Sequence, residues 1–510
     1  MRVADSDPGD DTSANASTGE GERREDQQTS YMARRNSETS EVTVDLAAFE
    51  LEAGDSLTKD YSPGRSSLWG AVFNFTNTIV GAGIIGIPFA VYQCGMVAGI
   101  LLILLAAFFT ERSSIMLIVS GERVGRLNYE ELMQVAFGSV GYYVFCFFAF
   151  VMAFGAMCAY LIIIGDTIPQ IVNSIHHSGG GDDDSSGSSS SDEFLGADRQ
   201  RVIALFSVLV LLPISCLREM HSLAVSSFLS VLSDVLIVVI VLFTAPAAAE
   251  SAAVAAGVSV DRAGAFNVLR PTVFAGFGAI SFAFVSQSSS FLLYRSLADR
   301  GVAAWVSVTR RAVGMATVMV MGLALSGYFA FVDTTEGDVL NNFPADSVAA
   351  NAARGFLAIT MVFTYPMEMF VARHVADVCC FQRLAGRGPT TMPRHAGWTL
   401  LVWLATTTVA LSTDDLGVVL EVFGAFSASA IGYVMPACLY LKAHERDVAA
   451  ALAAWRPGDD RHQASLAGRL RALRPWYTPA FMAFFGTVAM VAGIATVIYD
   501  KMHGERSGRR

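Results

Sequence analysis

The chain has 510 residues, of which 53% are hydrophobic and only 16% charged, and its formal charge is −11. An ordinary soluble domain carries roughly 25% charged residues. That balance excludes a soluble globule, and no nucleic-acid partner is expected.

The apolar residues gather in eleven runs at 67–90, 95–119, 139–171, 201–216, 222–244, 272–293, 311–332, 352–373, 397–412, 416–441 and 477–499. Most have about the 20 residues that cross a hydrocarbon core of roughly 30 Å as a helix, so an all-α integral membrane protein of about eleven spans in a lipid bilayer is expected. Residues 1–66, rich in Asp, Glu, Ser and Thr, read as a disordered acidic tail. No short apolar stretch with a small-residue cleavage site precedes the first run, so that run itself directs insertion.

Loop chemistry sets the orientation. One set of alternate loops collects Arg123 and Arg126, then Arg218, then Arg295, Arg300, Arg310 and Arg311, then Arg373, Arg383, Arg387 and Arg394, and finally the stretch from Lys442 to Arg474. The other set holds little beyond Arg199, Arg201, Arg262 and Arg270. By the positive-inside rule the N-terminus is cytosolic, and an odd number of spans places Arg510 outside or in a lumen. The tail 501–510 is short. Residues 173–199, a Ser, Gly and Asp run, read as a flexible non-cytosolic loop, and the alanine-rich 245–270 can hold a surface helix. Residues 128–137 read as a short amphipathic helix on the cytosolic face. Cys94, Cys146, Cys158, Cys216, Cys379, Cys380 and Cys438 lie mostly in spans or in a cytosolic loop, which argues against a disulfide framework.

Span 1 places Gly81, Gly83, Gly86 and Pro88 inside a segment that should be continuous helix. Gly81 to Gly86 also fits G-x-G-x-x-G, but no strand precedes it, Pro88 interrupts the helix after it, and a dinucleotide site is rejected. Lipid cannot satisfy freed backbone groups, so a broken helix must face protein or water. Span 6 repeats the weakness, with Gly276 and Gly278 leading into Ser286, Gln287 and Ser288. Two interrupted spans five apart point to a site between two inverted repeats, about 67–244 and 272–441, with 477–499 as an added helix. Glycines and serines that merely allow close packing are the alternative at each position.

These residues, with Tyr129 to Phe137 and with Thr364-Tyr-Pro-Met-Glu-Met-Phe-Val-Ala-Arg373 in span 8, resemble the amino acid and auxin permease superfamily over about 67–500. Its sodium-coupled neutral amino-acid branch, solute carrier family 38, is the nearest pattern. The resemblance implies a five-plus-five inverted repeat of the leucine-transporter type, with substrate at the breaks. It implies a sodium site at Asn77 and Thr364, with Thr360 one turn earlier as the fallback. Substrate contacts then fall to Asn77, Gly81, Ala82, Gly83, Ser286, Gln287 and Ser288, the substrate carboxylate meeting backbone N–H groups at Gly81, Ala82 and Gly83. Packing and helix back-bonding are the competing roles for Asn77 and Thr364. Where relatives carry a bulkier polar residue at the span 6 break this chain has serines and a glutamine, which bears on substrate size and coupling.

Charges within a bilayer are costly, and few are central here. Glu368 in span 8 and Asp234 in span 5 are candidates for proton relay, with pairing to Arg373 or solvation from a cavity as the expected reading, and Asp414, Asp415 and Glu421 read as solvated or helix-starting acids. The expected function is secondary active transport of neutral amino acids, coupled to sodium or protons, in a plasma or vacuolar membrane. An amino-acid-sensing receptor built on the same pocket is the second reading. No enzyme motif and no cofactor motif is found, and the oligomeric state is left open.

Overall fold

The structure, a computed structural model, describes residues 66–179, 199–216, 223–256, 266–383, 391–447, 449 and 466–507. Nearly all of the acidic tail, most of the 173–199 loop and the last residues of the chain lie outside these. Among the described residues every named element is helical, and the single bridge pairs Ser66 with Leu297.

Helices occupy all eleven runs. Eight are long and apolar enough to cross a membrane, and a ninth results when the two parts of span 1, bent by 47° at the break, are counted together. Spans 4 and 9 fall short. The described span 4 is divided into Arg199–Phe206, a widened π-helical turn at Ser207–Leu211, and Leu212–Ser215. Span 9, Met392–Ser412, is diluted by Arg394, His395 and Thr406 to Thr408. Leu101, Leu104, Phe108, Val318 and Phe484 remain exposed, apolar surface that only lipid accommodates. Span 6 is central, with 78% of its apolar window buried, and span 11 is peripheral with 28%.

Ends follow from local chemistry. Ser67 caps the first half of span 1, Leu68–Val80, by accepting from the Gly70 N–H at 3.1 Å. Gly125 closes span 2, Met96–Val124, in the left-handed region at φ 72°. Span 3 and the short helix before it are joined across Gly138, whose φ of 68° turns the chain. The short helix is therefore present, and its Tyr129 hydroxyl donates to the Ile431 carbonyl of span 10 at 2.9 Å. Span 5 runs on to Ala256, so part of the alanine-rich segment continues that span.

Packing repeats with a step of five. Span 7 packs on span 1 as span 2 packs on span 6, and span 5 lies against span 8 as span 10 lies against span 3. Span 5 meets span 7 as span 10 meets span 2, span 9 meets span 3 as span 4 meets span 8, and span 5 meets span 1 as span 10 meets span 6. Five is odd and successive spans alternate in direction, so the second repeat crosses the bilayer in the opposite sense to the first. This is the five-plus-five inverted repeat, with span 11 packed outside it on spans 6 and 10.

Candidate functional site

Both broken spans reach the centre of the molecule. Span 1 stops at Gly81, whose backbone (φ 34°, ψ −161°) leaves the helical region, makes a tight turn over Ala82–Gly86, and resumes as Ile87–Cys94 with Pro88 in its first turn. Span 6 stops at Phe284, passes through extended Val285 and resumes at Gln287. The breaks touch: a Cβ on Gly83 would lie 2.7 Å from the Ala283 Cα.

A cavity of about 950 Å³ opens from this crossing. Gly81 and Gly83 line it from span 1, Ala283, Val285 and Ser288 from span 6, Tyr160 from span 3 and Glu368 from span 8. It continues past Asn128, Glu130, Arg295 and His374, all in the basic loops or at helix ends beside them. The opposite side is packed shut. There the Phe89 ring and the Gly337 backbone close on Gly417, and Leu420 fills the space beside Gly86. Arg270 ties Asp333 at 2.7 Å and lies 4.1 Å from the centre of the Tyr92 ring, while Arg199 joins Asp166 to Asp414.

The expected site residues divide into groups. Gly81, Gly83 and Ser288 face the cavity. Ala82 sits in the turn between them. Ser286 is fully buried with no partner for its hydroxyl. Gln287 is also buried, but its side chain is engaged: Nε2 donates to Ser113 Oγ of span 2 at 2.9 Å and Oε1 accepts from the Ser286 N–H. Those bonds hold the span 6 break against span 2.

Asn77 Oδ1 is buried without a hydrogen-bond partner, an oxygen available to a cation. Thr364 Oγ1 donates to the Thr360 carbonyl at 2.7 Å and Thr360 Oγ1 to the Phe356 carbonyl at 2.9 Å. Back-bonding uses each hydroxyl's proton and leaves lone pairs free to accept a cation. The first half of span 1 packs mainly on spans 5, 6 and 7, with span 8 facing it across the cavity.

Of the expectations about acids, the Glu368–Arg373 pair and a solvated Glu421 are corrected, while solvation of Glu368 from a cavity agrees with the cavity it lines. Glu368 does not pair with Arg373, because residues five apart lie about 140° round a helix; Arg373 donates instead to the Ser215 carbonyl at 3.0 Å and to Thr399 Oγ1 at 2.9 Å. Glu421 is buried rather than solvated, with Oε1 unpartnered. Asp415 does start a helix, accepting from the Val418 N–H, and Asp414 is largely exposed, as expected, while also meeting Arg199. In the loop between spans 7 and 8, burial first and neighbouring Asp166 second lift Asp338 to about 7, opposed by its bond from the Leu340 N–H and by Arg354. Tyr160 and Thr78, which also line the cavity, carry no signal in the sequence because each sits in an apolar run without any motif.

The sequence profile of the family described as transmembrane amino acid transporter protein matches residues 64–458. The chain belongs to that family. A Danio rerio protein provisionally named sodium-coupled neutral amino acid transporter 11 is 32% identical over 379 residues, 74% of this transporter and 80% of that protein. Vacuolar amino acid transporter 2 of Saccharomyces cerevisiae is 28% identical over 383 residues, 73% and 75% of the two chains. A solved structure of a Na+-coupled sialic acid symporter, substrate-bound and outward-open, shares 12% identity at a TM-score of 0.45 and covers 86% of this transporter and 90% of that chain. The resemblance to the amino acid and auxin permeases and their sodium-coupled neutral branch is thereby borne out.

Proposed function

We propose that this transporter carries neutral amino acids by alternating access, coupled to sodium, with substrate held at the crossing of the two breaks. The observation that carries the reading is the cavity, which starts at Gly81, Gly83 and Val285 and opens to one face while Gly417, Leu420 and the Arg199 network seal the other. A substrate carboxylate would meet the backbone N–H groups at Ala82 and Gly83, since the Gly81 N–H already donates to the Asn77 carbonyl at 3.1 Å, and the substrate side chain would lie toward Ser288 and Phe282. Asn77, Thr364 and Thr360 supply neutral oxygens for the ion once span 1 closes on span 8.

The open face is the one with the basic loops, so by the positive-inside rule the cavity faces the cytosol and the N-terminus lies there too. The names of the relatives support both sodium and a vacuolar-type membrane. Moving one positive charge down 100 mV supplies about 2.3 kcal/mol. At about 1.4 kcal/mol per tenfold, that sustains an accumulation on the order of fifty-fold.

Counterflow into liposomes with a panel of labelled amino acids, under separate sodium and pH gradients, tests the reading. Exchange of small neutral amino acids is expected. Binding without exchange would assign a receptor instead.

A further inference from the structure

Glu368 is a carboxylate that the cation site as described leaves unused. It stands on span 8 one helical turn beyond Thr364 and lines the cavity together with Thr78 and Gly81. Among the described residues it makes no hydrogen bond and no ion pair. Tyr160 of span 3 lies within reach of its field. Glu130, Arg295 and His374 line the same cavity, but from the ends of their helices. Asp234, on the span 5 helix that packs against span 8, is buried with no charged neighbour among the described residues.

Glu368 is part-buried on the cavity wall, open to whatever water the cavity holds. Closing the first half of span 1 onto span 8 removes that water. A carboxylate that stays ionised then loses its solvation with nothing to offset the loss, and such a closed state is scarcely populated unless the group takes up a proton or a cation. The oxygens of Asn77, Thr364 and Thr360 carry no net charge and cannot compensate. A zwitterionic amino acid has none to spare either, since its ammonium is matched by its own carboxylate. A small monovalent cation supplies the missing charge.

We propose that Glu368 is a sodium-binding residue: its carboxylate takes up the ion from the open cavity, next to the oxygens of Thr364 and Asn77, and so makes closure conditional on the ion. The proposal rests on the transport reading above for its consequence, but the binding itself is testable without transport.

Full-length wild type, Glu368→Gln and Glu368→Asp are unfolded thermally in detergent with sodium chloride or choline chloride at equal ionic strength. Sodium that binds the folded protein raises its Tm. The rise is expected in wild type and in the Asp variant, which needs roughly tenfold more sodium for it, and is absent in the Gln variant. The same three proteins in liposomes are given labelled L-alanine and L-glutamine under an inward sodium gradient. Gradient-driven accumulation falls to about one in the Gln variant and persists in the Asp variant. An equal sodium-induced rise in all three proteins, or in none, overturns the proposal. So does a Gln variant that still accumulates substrate on a sodium gradient, or a wild type driven by a pH gradient and indifferent to sodium. A wild type that binds sodium through Glu368 but moves no amino acid would leave the site standing and sink the transport reading.

Discussion

Gly278 of span 6 and Gly424 of span 10 meet backbone to backbone: a Cβ on Gly424 would lie 1.9 Å from the Gly278 carbonyl oxygen. The approach holds the first half of span 6 against the outer part of span 10. Gly424→Ala is expected to destabilise the protein by about 1–3 kcal/mol, the usual cost of overpacking. Gly314→Ala, in open space on span 7, is the control and should be neutral or gain roughly 0.5–1 kcal/mol as a helical Gly to Ala change. Thermal unfolding in detergent reads both, and equal Tm values would show that the backbones can part at no cost.

Gly83 is the corresponding contact at the site itself. Because its Cβ would collide with the Ala283 backbone, even Gly83→Ala should push the two breaks apart and lower uptake sharply, and Gly83→Leu should abolish it. Gly81 differs: it has room for a Cβ but a positive φ, so Gly81→Ala should cost about 1 kcal/mol of strain and lower flux less. Surface labelling must show that each variant still reaches the membrane. Wild-type uptake by Gly83→Leu would remove the crossing from the site.

Asn77 and Thr364 are expected to serve one ion. Each alanine substitution should raise the sodium concentration for half-maximal flux, and the double variant should cost clearly less than the sum of the two, as for neighbours sharing a partner. Additive losses, or lower maximal flux at unchanged sodium dependence, would assign them separate packing roles.

Asp338 gives a pH dependence with a defined sign. Its carboxyl is lifted from 3.8 to about 7, chiefly by burial, so the folded protein holds the proton more tightly than the unfolded chain. The stability it contributes is complete below about pH 4 and is lost as pH rises through about 7. Asp338→Asn should flatten the fall in Tm between about pH 5 and pH 8 and leave the variant at least as stable as wild type at the upper end. An unchanged slope would place the titration elsewhere.

Topology is checked with tags. Epitopes within 173–199 and after Arg510 should be reachable only from outside or from the lumen, and one before Ser66 only from the cytosol. A cytosolic C-terminus would require a different number of spans.

Much of this molecule was legible because membrane physics writes it into composition. Runs of apolar residues marked every span, and Gly81, Gly83 and Pro88 with the serines after Val285 marked both breaks, because two interrupted spans five apart fit a site better than close packing at each position alone. The features that stayed hidden depend on which way a helix face turns. Glu368 and Arg373 look like partners in the sequence, but a five-residue step points them to opposite sides of span 8, one into the cavity and one toward spans 4 and 9. Gln287 reads as a substrate group until its bonds to Ser113 and the Ser286 N–H show that its amide is already occupied. The same holds for Glu421, which is buried where the first half of span 10 packs on spans 3, 6 and 11, a burial set by no feature of its own neighbourhood in the chain.

The repetition of packing with a step of five also bears on the opposite conformation. The two units share their pattern of packing, set head to tail, while their breaks differ: span 1 turns through Gly81 at φ 34° and span 6 through extended Val285. Exchanging the bends between the units yields a molecule open on the other side, built from the same pairs of helices. Both openings can thus draw on the same helix pairs, and a change at one break should tilt the balance in the direction opposite to its counterpart at the other. Gly81 and Ser286 are such counterparts: the molecule behaves as a balance with a pan on each side of the membrane.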